Sequence, residues 1–140
     1  MELGDTRRAY KLFLQAAAAG DADAQVAIAY HIETGEFSWL SKADALYWYQ
    51  QAAEQDSSSA LFNLGLNEVE FGEPARALDL MMRAYSFGEL DALVYIIELL
   101  PYSNRSAEDM AFFSKKLKYA LRHGALSESL IARAGAILAL

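Results

Sequence analysis

The sequence predicts an all-α fold: one repeat domain over residues 1–140, built of about four antiparallel helix pairs stacked as an α-solenoid. Three observations carry the prediction. Hydrophobic residues make up 54% of the chain, Ala and Leu dominate, and the two prolines, Pro74 and Pro101, leave long stretches free of helix breakers. A small residue recurs at Ala16, Ala52, Ala84 and Ala120, spaced 36, 32 and 36 residues apart. Four residues after each stands Gly20, Asp56, Gly88 or Gly124, where the end of a helix needs a residue tolerant of the left-handed conformation.

The other columns keep this register. Seven residues before the alanine stand Ala9, Ala45, Ala77 and Phe113; four before stand Leu12, Trp48, Leu80 and Lys116; three before stand Phe13, Tyr49, Met81 and Leu117. Eight after stand Ala24, Ala60, Ala92 and Glu128. The repeats run over about 5–35, 41–72, 74–101 and 106–140.

In the first repeat a helix over 6–19 is stopped by Gly20, and Asp21 or Asp23 can cap a second helix over 22–34 that Gly35 ends. Phe37 and Trp39 lie in a loop over 36–40 and should fold over the repeat junction. Ser41 and Asp44 have capping-box spacing and open the second repeat. Its turn falls at 56–59, and a helix over 60–71 carries Glu68 and Glu70 on its exposed side before Gly72. Pro74 suits the first position of a helix over 74–87, since its missing amide would be unpaired there. The segment 91–100 is nearly apolar and should be deeply buried, and 101–105 is a loop. Ser106 and Asp109 repeat the capping-box spacing, and His123-Gly124 ends that helix. The last helix, over about 127–139, slips register by roughly one residue, with Glu128 in the alanine column. Its apolar tail either folds back on the third repeat or offers a sticky end, for example in a weak homodimer.

The segment from Asp44 through Ala45, Trp48, Tyr49, Ala52 and Ala53, followed by Ala60 and Leu64-Gly65, resembles a Sel1-like repeat, with its KAxxWYxKAA segment, a small residue and LG. Ala9, Ala16, Ala17, Gly20, Asp21, Ala24 and Ile28 match in the first repeat, and Ala77, Ala84, Gly88 and Ala92 in the third. Asp44 stands for the usual Lys and Asp56 for the usual Gly, and the glycine-rich loops are shortened. The spacings fit tetratricopeptide repeats of ~34 residues comparably. Either resemblance implies a right-handed superhelix that binds proteins on its surface. In such solenoids the first helices of the repeats line the concave side. Two columns there point away from the alanines: Lys11, Tyr47, Asp79 and Lys115, and Leu14, Gln50, Met82 and Lys118. Tyr47 and Met82 are the expected exposed anchors. Trp48 and Tyr49 are expected to fill gaps between helices, so Trp48→Ala should cost about 3–5 kcal/mol and Trp39→Ala much less.

The charge pattern bounds the partner. Residues 12–104 hold fourteen acids against three bases, while 105–140 hold six bases against three acids, within a net charge of −7. An acidic middle disfavours nucleic acid and anionic lipid and favours a protein with a basic surface, with Glu68, Glu70 and Glu73 as candidate contacts. The absence of cysteine excludes disulfides, thiolate metal sites and cysteine nucleophiles. His31 and Glu33 begin a zinc-deaminase triplet that lacks its cysteines, so no metal, cofactor or catalytic residue is expected. Neither a signal peptide nor a membrane-spanning run is recognised, so the expected setting is cytoplasmic. Lys115, Lys118 and Arg122 form one basic face, expected to be solvated. The expected function is a protein–protein interaction module without catalysis. The alternative is an inhibitor or immunity-type protein that neutralises one toxic enzyme. A third class, an enzyme or ligand carrier, lacks site chemistry.

Overall fold

A computed structural model describes residues 3–139; Met1, Glu2 and Leu140, the last of the apolar tail, lie outside them. The described residues form eight α-helices and no strand: α1 Leu3–Ala18, α2 Ala22–Glu33, α3 Lys42–Ala53, α4 Ser58–Phe71, α5 Pro74–Ser86, α6 Ala92–Leu99, α7 Ala107–Arg122 and α8 Glu128–Ala139. They fall into two compact units divided inside α4, one ending at Leu64 and the other beginning at Gly65.

The alanine column has a backbone cause as well as a packing one. At the ends of α1, α3, α5 and α7 the chain closes in the same paired turn, the Schellman motif. The Ala16 carbonyl accepts the Asp21 amide while Ala17 accepts from Gly20. Ala52 accepts from Ser57 and Ala53 from Asp56; Ala84 accepts from Glu89 and Tyr85 from Gly88; Ala120 accepts from Ala125 and Leu121 from Gly124. Each turn needs one residue at positive φ, and the four residues there have φ of 98°, 59°, 104° and 62°. Asp56 is the one non-glycine residue at positive φ among the described residues, and aspartate is among the few side chains that tolerate it.

The helix starts follow local chemistry. Ser41 and Asp44 form a complete capping box, as do Ser106 and Asp109. Asp21, rather than Asp23, caps α2 through the Ala24 amide. Pro74 opens α5. Three boundaries differ from expectation by more than one residue, and the first is the start of α1, at Leu3 rather than residue 6. Helix α4 begins at Ser58, two residues early, because Ser57 accepts the Ala60 amide and starts the turn sooner. The loop after α6 begins as a 3-10 turn, Leu100–Tyr102, that Pro101 tolerates in its first turn.

In the first unit α2 packs between α1 and α3. Ile28, Ala29, Ala45, Tyr49, Ala52 and Leu61 are buried there. Gln25, also buried, donates from Nε2 to the Ala17 carbonyl at 3.0 Å and accepts from Gln55 Nε2 at 3.1 Å, which braces the ends of α1 and α3. Phe37 is buried under Tyr10, His31 and Trp39, with ring centroids 5.1–5.5 Å away, and Arg7 lies 4.4 Å over the Trp39 ring.

Three packing expectations need correction. Trp48 is only half-buried, as is Trp39; the side chain that fills the interior is Tyr49, 1% exposed. In α1 the buried small residue is Ala17, one position after the column, while Ala9 and Ala16 are half-buried. Glu68 is not a free surface acid: its carboxylate accepts the Glu73 amide at 3.3 Å and lies 3.5 Å from Arg76. That carboxylate also lies where a Cβ at residue 72 would stand, so another residue there would push the Glu68 side chain aside.

In the second unit α6 packs against α5, α7 and α8. Leu93, Val94, Ile96 and Ile97 make it the most buried helix of that unit. Gly65 lets α4 approach Met81 so closely that an added Cβ would stand 2.9 Å from its Cε. Helix α8 buries Leu130 and Ala134, one residue later than Leu93 and Ile97 stand in the preceding repeat, and leaves Glu128 exposed. It is tied to α6 twice. Asp91 accepts the Ser127 amide at 2.8 Å and the Ser127 hydroxyl, and Arg133 makes a two-pronged pair with Glu98 while covering the Tyr95 ring at 4.5 Å.

Candidate functional site

The first unit carries a groove of about 410 Å³ between the end of α1 and the outer flank of α3. Its α1 side is small: Ala17, Ala18 and Gly20. Its α3 side is aromatic and amide-bearing: Tyr47, Trp48, Gln51, Glu54 and Gln55, with Gln25 at the base. The sequence explains the asymmetry. Ala45, Tyr49, Ala52 and Ala53 take the buried face of α3, so Tyr47, Trp48 and Gln51 project to one side of it. Tyr47 is 54% exposed and meets Trp48 edge-on, with ring centroids 5.1 Å apart.

The groove gathers only one member of the predicted columns, Tyr47. Lys11 and Gln50 are exposed on other flanks and Leu14 is half-buried, all outside the groove lining. In the second unit Asp79 is exposed in a shallow cleft of about 390 Å³ with Ala75, Arg76 and Leu80. Met82 is half-buried, and Glu70, Glu73, Lys115 and Lys118 are exposed. Sequence reasoning missed Gln51, Glu54 and Gln55. A signal was present, since Gln51 and Gln55 stand one helical turn apart beside Trp48, but neither falls in a column shared by the repeats.

The electrostatics show structural tuning rather than catalytic poise. The Tyr49 hydroxyl donates to Glu33 Oε2 at 2.8 Å, and burial first, then that bond and the Glu33 charge, push its pKa up. The phenol therefore stays a neutral donor. Hydrogen bonds from the Ser41 amide and hydroxyl hold the Asp44 carboxyl below its ordinary value. The Glu89 carboxyl is raised by burial and by the neighbouring Asp91 charge. Asp91 itself is engaged by Ser127, so the pair does not present an acid and a base to one point. His31 Nδ1 lies 2.8 Å from Glu36 and its ring packs among Phe13, Tyr30 and Phe37. Among the described residues no group of three His, Asp or Glu side chains could hold a metal ion, and no helix is long and apolar enough to cross a membrane.

Among solved structures, the fold is similar to that of a protein from Klebsiella pneumoniae subsp. pneumoniae described as a Sel1 repeat protein, with a TM-score of 0.63 at 24% sequence identity. The match covers 89% of this chain, which spans 59% of the length of that one. No protein-family model and no curated protein matches the sequence. The chain has the helical-repeat fold of Sel1-like α-solenoids.

Proposed function

We propose that this chain is a protein-binding module that holds a partner on the surface of its helical repeats and carries out no catalysis. The observation that supports this most is Tyr47, an aromatic side chain more than half exposed on the rim of a groove that also offers Trp48, Gln51 and Gln55. Aromatic side chains are enriched where proteins meet, because they bury a large area with few rotatable bonds. A glutamine amide offers both donors and an acceptor, which suits the main chain of an extended segment. The small residues on the α1 side leave room for that segment's side chains.

The partner carries a basic surface. Asp79, Glu70 and Glu73 are exposed within a stretch of residues 12–104 that holds fourteen acids against three bases. Charge complementarity of this kind speeds encounter and rejects wrong partners. A reducing, cytoplasmic setting accords with a sequence free of cysteine. The test is affinity capture with the wild-type chain and with a Tyr47→Ala, Gln51→Ala variant, read by quantitative mass spectrometry. A basic protein retained by the wild type and lost by the variant supports the reading. Equal capture by both, or capture of acidic proteins through this groove, rejects it.

A further inference from the structure

We propose that the exposed face of α7 is a second docking site, specific for an acidic, extended protein segment. It shares no residue with the groove of the first unit. Phe112, Lys115, Lys116, Tyr119, Arg122 and His123 recur at spacings of three and four residues and so share one face of the helix. All six are exposed, Phe112 by 53% and Tyr119 by 65%. Each ring has a neighbour on the stripe. Lys116 Nζ lies 5.4 Å over Phe112, and His123 stacks on Tyr119 at 4.0 Å with its Nδ1 2.8 Å from the Tyr119 carbonyl. Lys118 flanks the stripe.

Helix stability does not account for these cations. The helix dipole favours a positive charge only in the last turn, which covers Arg122 and leaves Lys115 and Lys116 outside it. Lys115 with Lys118, and Lys118 with Arg122, are like-charge pairs at three- and four-residue spacing, and each mildly destabilises the helix. Among the described residues none of the four cations stands in an ion pair with an acid. The acids of α7 lie at its start, where Asp109 is held in the capping box. The stripe is therefore a run of unneutralised charge interleaved with exposed rings.

Its length and setting select the occupant. From Phe112 to His123 the helix rises about 16 Å. An extended chain covers that distance in about five residues. A short Glu- and Asp-rich segment places its carboxylates on the lysines and an apolar side chain between Phe112 and Tyr119. A nucleic acid strand would extend past this footprint. Residues 65–104 of the same unit hold seven acids against two bases, so a polyanion longer than the stripe meets repulsion where it runs past the cations.

The experiment is fluorescence anisotropy with a labelled dodecapeptide of Glu, Asp and Leu, against the full chain at roughly 50 and 200 mM salt. The proposal expects binding that weakens with salt and falls at least tenfold in a Lys115→Glu, Lys116→Glu, Arg122→Glu variant. It also expects a several-fold loss in Phe112→Ala, Tyr119→Ala, whose charges are intact. Circular dichroism checks that each variant is folded, and Lys115→Gln, Lys116→Gln, Arg122→Gln replaces the reversal if that variant is not. Absence of peptide binding, or binding untouched by these substitutions, overturns the proposal. Tighter binding of an oligouridine of matched length than of the peptide overturns it in favour of a nucleic acid site.

Discussion

Tyr49 is the side chain on which the first unit can be tested most sharply. Its ring is 1% exposed and its hydroxyl reaches Glu33 from inside the packed face of α3. Two substitutions separate the ring from the hydroxyl. Tyr49→Ala removes a fully buried aromatic ring and should cost about 3–5 kcal/mol. At about 4 °C per kcal/mol for a chain of this length, the melting temperature should fall by roughly 12–20 °C. Tyr49→Phe keeps the ring and loses one hydrogen bond to a carboxylate. Glu33 is exposed and regains water in the variant, so the loss should be about 1 kcal/mol. The pH dependence gives an independent check. The folded pKa of Tyr49 is raised above that of the unfolded chain, which lies near the ordinary ~10. The unfolded state then releases a proton that the folded state retains, so this group's stabilisation is present below about pH 10 and is lost as pH rises beyond it. Thermal melts by circular dichroism between pH 8 and 11 should show the wild type losing more stability than Tyr49→Phe. Parallel curves, or a Trp48→Ala loss equal to that of Tyr49→Ala, would refute the placement of Tyr49 as the interior residue of α3.

Three further outcomes follow from the caps, turns and acids. Asp44 has a lowered carboxyl pKa in the folded chain, so its stabilisation is present above about pH 4 and is lost as pH falls below it; Ser41→Ala should flatten that acid limb, read by helix content against pH. Gly88→Ala meets no atom within 4 Å, yet its φ of +104° should cost about 1–2 kcal/mol in urea unfolding, whereas loss of stability below ~0.3 kcal/mol would show that the turn relaxes. Glu70→Lys with Glu73→Lys should leave stability nearly unchanged and slow partner association more than it speeds dissociation, while Glu68→Lys should also destabilise, because it breaks the contacts of Glu68 with the Glu73 amide and Arg76.

How much of this was legible in the sequence follows from the kind of interaction involved. The helix pairs and their ends were readable because they depend on local rules: a left-handed residue four positions after each column alanine, serine and aspartate at capping-box spacing, proline at the first turn of α5. The choice between Trp48 and Tyr49 for the interior was not readable. Both have helical spacing to Ala45 and Ala52, and only the rotation of α3 against α2 decides which faces inward. Glu68 failed for a related reason. Its position on the helix reads as exposed, and only the chain reversal at Gly72 brings the Glu73 amide and Arg76 to it. The groove depends on Ala17 and Gly20 lying opposite Gln51 and Gln55, a contact between separate helices that no spacing within one helix encodes. The stripe on α7 was half visible. Its cations Lys115, Lys118 and Arg122 were found, while Phe112, which falls in no repeat column, was not, and its ring proves to be exposed beside Lys116.

The most direct measurement of the central claim is hydroxyl-radical footprinting of the captured complex, read residue by residue by mass spectrometry. Tyr47 and Trp48 are reactive aromatic side chains on the rim of the groove, and Tyr49 is an interior reference a few residues away. A partner seated in the groove should lower oxidation of Tyr47 and Trp48 on binding and leave Tyr49 unreactive in both states. Unchanged oxidation of Tyr47 and Trp48 in a complex that demonstrably forms would contradict the assignment of this surface as the binding site.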